Sequence, residues 1–227
     1  MKKAKRFLLL SILLIAAAML WLPSETLAAA FTVNSTSDAV DAAPGDGTCQ
    51  TATAGECTLR AAIMQANALT GPHTITVPAG TYTLTITGAG EDDSATGDLD
   101  INESITITGA GANVTTINGN SLDRVFDIDP YDVSPTVTIR NLTVTGGNVG
   151  TLISGGGVYV NLSGCPVVTL TNMAATGNTA WQGGGVANEG CGSLTITNST
   201  ISNNTSTNSG GGIYDAYSLT LINSTIS

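Results

Sequence analysis

Two groups of residues carry side chains able to do chemistry. The first is the acidic run GEDDSATGDLDI, which gathers Glu91, Asp92, Asp93, Asp98 and Asp100. Hard carboxylate oxygens at close spacing, with Gly97 supplying a sharp bend, are the ligand chemistry of Ca²⁺. Asp92, Asp93, Asp98 and Asp100 are therefore candidate metal ligands, although their spacing is not that of an EF-hand loop, and Ca²⁺ is the one cofactor the sequence brings into view. The second group is Cys49, Cys57, Cys165 and Cys191, which allow two disulfides in three pairings.

Catalytic constellations are sparse around these groups. An acid–base hydrolase needs convergent carboxylates, and Asp92-Asp93 is the only adjacent pair of aspartates. The sole histidine, His73, sits beside Pro72, and no Gly-x-Ser-x-Gly elbow accompanies the serines. Arg124 and Arg140 lie in strand-like patterns beside Asp or Asn, which reads as packing or ion pairing. No residue is assigned a catalytic role.

The elements that must position these groups repeat. VTIRNLTVTGGN from Val137, VTLTNMAATGN from Val168, LTITNSTISNN from Leu194 and LTLINSTIS from Leu219 align. Asn141, Asn172, Asn198 and Asn223 fall in phase at steps of 31, 26 and 25 residues. Glycine runs at Gly155, Gly183 and Gly210 separate them, each followed by Val or Ile. Such a period means a solenoid whose units bury apolar faces only by stacking. In one coil Leu194 and Ile196 point one way, and Thr195 and Thr197 the other. Stacked parallel strands lie ~4.8 Å apart, so like residues meet like. The Asn column then serves a tight left-handed corner, with amides able to bond from coil to coil, and the glycines serve another corner.

The same phase pairs the cysteines. Cys165 lies seven residues before Asn172 and Cys191 seven before Asn198. They occupy equivalent places on consecutive coils, within reach of a disulfide. Upstream, CTLRAAIMQANAL has one apolar stripe (Leu59, Ala62, Ile63, Ala66), Thr58 as N-cap and Gly71-Pro72 as terminator. This helix is expected to cap the open end of the solenoid, with Cys49–Cys57 stapling the loop before it.

Lys2, Lys3, Lys5 and Arg6 precede an apolar run from Phe7 to Leu22 and the small residues Ala28-Ala29-Ala30, the pattern of a secretory signal peptide. Without residues 1–30 the chain keeps three arginines against 16 acids, near −13. Nucleic acid and anionic membrane surfaces are excluded as partners, no membrane span remains in the mature chain, and an anionic polysaccharide would need a bridging cation. The expected organisation is a signal peptide at 1–30, an N-terminal cap at 31–75 and a β-helix at 76–227. The chain stops where the repeat predicts Asn-Asn, so a longer protein with attachment or activity downstream is expected.

Cys57-Thr58-Leu59-Arg60-Ala61-Ala62 resembles the CSLREA signature of exported bacterial proteins, with Thr58 for Ser and Ala61 for Glu. PAGTY at 78–82, TGDLDI at 96–101 and LDRVFDI at 122–128 follow as in that family. The glycine runs, with Ile201-Ser202-Asn203-Asn204, are similar to polymorphic outer-membrane protein repeats (GGA[I/L/V] with FxxN). These resemblances imply a right-handed parallel β-helix of the pectate-lyase superfold and a secreted or cell-surface location. The sequence thus reads as an all-β, right-handed parallel β-helix with an N-terminal capping helix. Its expected function is that of an exported, non-enzymatic structural, adhesive or carbohydrate-contacting module, whose partner is a polysaccharide or another cell-surface component. The alternative is a polysaccharide lyase or glycoside hydrolase using the acids at 91–100.

Overall fold

The computed structural model describes residues 28–227, so the expected signal peptide lies outside the described residues except for Ala28–Ala30. Every described strand pairing is parallel, and the coils stack into a β-helix with three main faces. The first sheet contains seven strands: Ala30–Thr32, His73–Val77, Ile105–Gly109, Thr136–Arg140, Val167–Thr171, Ser193–Thr197 and Leu219–Ile222. A second sheet of six runs from Gly80–Thr83 to Thr225–Ile226. The third has five: Leu99–Ile101, Phe126–Ile128, Val158–Val160, Val186–Asn188 and Ile213–Asp215. A two-stranded ribbon, Thr179–Gln182 with Thr205–Ser209, lies between the second and third faces along the chain.

The period-two alternation of the sequence sets which side faces the core. Ile75, Ile107, Ile139, Leu170 and Ile196 stack in register inside the coil. Burying each such side chain contributes about 1.5–3 kcal/mol. Thr74, Thr106, Thr138, Thr169, Thr195 and Thr220 form the matching outward column.

Corners follow the repeat. Asn141, Asn172, Asn198 and Asn223 have φ of 59°, 52°, 50° and 48°, the left-handed region that asparagine enters most readily after glycine. Their side chains bond only once among the described residues, from Asn172 Nδ2 to Asn141 Oδ1 at 3.2 Å. Amide bonding between coils is concentrated instead on an inner pair. Buried Asn178 donates from Nδ2 to Asn204 Oδ1 at 3.0 Å and accepts from Gly147 N, and Asn204 Nδ2 donates to Ala175 O. The glycine run at the third face has a direct steric cause: a Cβ on Gly184 would lie 2.3 Å from Thr205 O.

The helix, α1, spans Leu59–Asn67, shorter at both ends than its pattern. Thr58 Oγ1 accepts from Ala61 N at 3.1 Å, satisfying one of the free amides of the first turn, and donates to Ala39 O. Leu59, Ala62, Ile63 and Ala66 join the continuous core. The helix packs on His73–Val77 and on Leu99–Ile101, the edge strand of the third sheet. Pairing begins ahead of it, since Ala30–Thr32 already lies on His73–Val77. Cys49–Cys57 and Cys165–Cys191 are both bonded, with Cα separations of 5.2 and 4.5 Å.

Candidate functional site

The acidic run forms a loop against the outer face of the third sheet. What holds it there is the Arg60 side chain, 1% exposed despite its charge. Its Nε donates to Asp38 Oδ1 at 2.6 Å, and its Nη atoms donate to Ser94 O, Gly97 O and Asp98 O at 2.9, 2.8 and 2.9 Å. A guanidinium can serve several fixed acceptors at once, which an ammonium cannot do in one plane. The helix end adds a second clamp: Asn67 Nδ2 donates to Asp100 O, and Asn67 Oδ1 accepts from Asn102 N. Gly97 sits at φ 59°, where a Cβ would lie 2.1 Å from Gly88 O. The CTLRAA helix and the TGDLDI loop are thus mechanically one unit.

This clamp brings three carboxylates together. Leu99–Ile101 lies on Phe126–Ile128 with Asp100 opposite Asp127. One oxygen from each of Asp98, Asp100 and Asp127 lies within 4.8 Å of the others, and all three residues are buried. Arg124 reaches in from the neighbouring coil, bonding Asp127 Oδ2 through Nη1 and lying 3.5 Å from Asp98 Oδ2 through Nε. Its guanidinium also stands 4.7 Å above the Tyr159 ring. Tyr159 in turn donates to Glu189 Oε2 at 2.9 Å. Asp98, Arg124, Asp127 and Tyr159 line a cleft of about 280 Å³ together with Gly90, Glu91, Asp92, Asp123, Ile153 and Asn161.

Burial dominates the electrostatics. Asp98 is pushed well above the carboxylate range by desolvation and by the neighbouring charges of Asp100 and Asp123, against the opposing pull of Arg124. Asp100 is raised by desolvation despite the Ser94 N–H bond to its carboxylate. Asp127 is raised by burial to about 6, restrained by Arg124 and Asn161. For Arg124, burial works against the charge, but Asp127, Asp98 and Asp123 outweigh it and raise the pKa.

A second concavity, about 440 Å³, opens on the other side of the acidic turn. Tyr131, half exposed, stands over it with its hydroxyl donating to Asp93 Oδ1 at 3.0 Å. Met64, Asn67, Ala95 and Asn102 also line it, and Asn102 Oδ1 is buried without a donor among the described residues.

The four candidate ligands therefore divide. Asp98 and Asp100 converge, Asp92 lines the same cleft, and Asp93 faces the Tyr131 groove instead. The acids the sequence reading missed, Asp127 and Asp123, both lie in LDRVFDI. The signal was present in the register, since TGDLDI and LDRVFDI each place an acid between two apolar strand positions. His73 is buried, with Nδ1 accepting from Ala29 N and Nε2 facing Leu69 O, a fully used structural ring. Arg140 Nε donates to Thr108 Oγ1 on the first sheet, away from the cleft.

No family model and no curated protein matches the chain. Among solved structures it is similar to pectin methylesterase PemA from Erwinia chrysanthemi, at 14% identity and a TM-score of 0.42 over 78% of this chain. The chain spans 49% of that enzyme's length, and the likeness is too distant to carry a site or an activity across.

Proposed function

We propose that the protein is an exported β-helix, akin to proteins with the CSLREA signature, that binds polysaccharide at the cell surface or outside the cell without cleaving it. The observation that carries this reading is the Tyr131 groove. An exposed aromatic ring offers the apolar C–H face of a pyranose a stacking surface, while flanking planar polar groups take its hydroxyls. Here the ring is held by Asp93, and Asn67 and Asn102 lie on the groove wall. The two disulfides favour an oxidising, extracytoplasmic compartment. Among the described residues no helix is long and apolar enough to cross a membrane. Affinity electrophoresis through gels containing soluble polysaccharides tests the reading. At least one polysaccharide should retard the protein, and Tyr131→Ala should abolish the retardation; free migration of the wild type in every gel would sink it.

One observation favours a second reading, hydrolysis. Asp98 and Asp127 are held at different proton affinities and face one cleft, which is how acid and base roles are divided between carboxyls. Against it, Arg124 bonds an oxygen of Asp127 and lies 3.5 Å from one of Asp98. Release of reducing ends without unsaturated products, lost in Asp127→Asn, would establish hydrolysis.

A further inference from the structure

We infer that Asp98, Asp100 and Asp127 form a binding site for a hard divalent cation, Ca²⁺ by its chemistry, that fastens the acidic loop to the next coil. The inference stands apart from the polysaccharide reading, and neither depends on the other.

Three observations converge on it. The first is the gathering itself: one oxygen of each carboxylate within 4.8 Å of the other two, from residues at most 4% exposed. The second is an orphan. Asp100 is fully buried, and its Oδ2 accepts from Ser94 N at 2.7 Å, but its Oδ1 has no partner among the described residues. A buried carboxylate oxygen left without a donor or cation is costly, so something should meet it.

The third is how the remaining partners are distributed. Arg124 takes Asp127 Oδ2 and approaches Asp98 Oδ2. That leaves Asp100 Oδ1 without a partner and Asp127 Oδ1 without a hydrogen bond from Arg124 among the described residues. The latter is held only by a 3.3 Å contact from Asn161 Nδ2. With all three carboxylates ionised, one guanidinium leaves two negative charges, to which Asp123 on the cleft wall adds, so a divalent ion has charge to neutralise. The donors are all oxygen, with no imidazole or thiolate in the cluster, which selects Ca²⁺ over zinc or copper. Ca²⁺ also tolerates the irregular geometry that a loop and two strands provide, and can complete its shell with water from the open cleft.

The consequence is mechanical. Asp98 and Asp100 belong to the loop clamped by Arg60, while Asp127 belongs to the following coil. One ion would bridge the N-terminal unit to the body of the solenoid.

The test uses the protein stripped with chelator and titrated with CaCl₂ alone, NaCl of equal ionic strength serving as control. Stabilisation follows the ratio of free ion to dissociation constant, so a hundredfold excess should raise the melting temperature by roughly 5 °C or more. Asp100→Asn and Asp127→Asn should each remove the rise, and Asp93→Asn should keep it. Should either variant fail to fold, hydrogen exchange on the wild type gives an independent readout, with Ca²⁺ slowing exchange across residues 88–102 and 126–128. No rise at millimolar CaCl₂, a rise that survives both substitutions, or protection confined to other segments would overturn the site.

Discussion

Arg60 looks, in sequence, like the lone charge of a short helix; in the fold it is the bolt between that helix and the acidic loop. Its guanidinium neutralises Asp38, itself nearly buried, and ties three carbonyls of the loop. Removing one partner of such a pair strands the other charge, so Arg60→Met should lower stability by about 3–5 kcal/mol in urea unfolding. Most of that loss should return in the double variant with Asp38→Leu if the stranded carboxylate is the cause. The cluster beyond the clamp predicts a pH dependence of the ion-free protein. Asp98, Asp100 and Asp127 all hold their protons more tightly when folded, because burial penalises the charged form. Their contribution is intact below the unfolded carboxylate pKa of about 4 and is lost as pH rises through the folded values. For Asp127 that loss begins near pH 4 and is complete a little above pH 6, and for the other two it continues to higher pH. Melting temperature measured in chelator should therefore fall between pH 5 and 8, and Asp127→Asn should flatten its lower part. The role of Asp98 and Asp100 was legible as acidic-loop chemistry. Asp127 was less so: LDRVFDI places the same acid between apolar positions, but it joins the loop only through a parallel register one coil away.

At the scale of elements, the coil repeat was the most legible feature, since β-branched residues at period two leave a strand few alternatives. Cysteine phase was legible for the same reason, as it depends only on coil equivalence. Replacing Cys165 and Cys191 by serine should cost roughly 2–4 kcal/mol by calorimetry, the usual scale for a bridge closing a loop of this length. Less legible was which asparagines carry the bonding. The column at Asn141, Asn172, Asn198 and Asn223 supplies corner geometry, whereas Asn178 and Asn204, at the FxxN-like positions, spend their amides inside the coil. Both columns have the same period, so spacing alone does not separate an outward corner from an inward turn. Asn178→Ala leaves the Gly147 amide and neighbouring acceptors unpaired and should cost about 1–3 kcal/mol. Asn172→Ala, at an exposed corner, should cost less, and the order of the two in urea unfolding checks the assignment.

At the scale of the whole molecule, the chain is a stack whose distinctive chemistry is confined to one end. The helix, the acidic loop and the strand Phe126–Ile128 are tied together by Arg60, Asn67 and Arg124, and the two concavities flank the turn they support. The later coils are regular, with outward threonines and inward aliphatics, and read as scaffold. Polysaccharide binding at this end is the central claim, and the half-exposed Tyr131 ring carries it. Isothermal titration of wild type and Tyr131→Ala, with fragments of whichever polysaccharide retards the protein most, addresses it directly. The account predicts saturable binding by the wild type and an affinity at least roughly tenfold weaker in the variant, a loss of about 1.4 kcal/mol, at unchanged melting temperature. Equal affinity in the two proteins would contradict it.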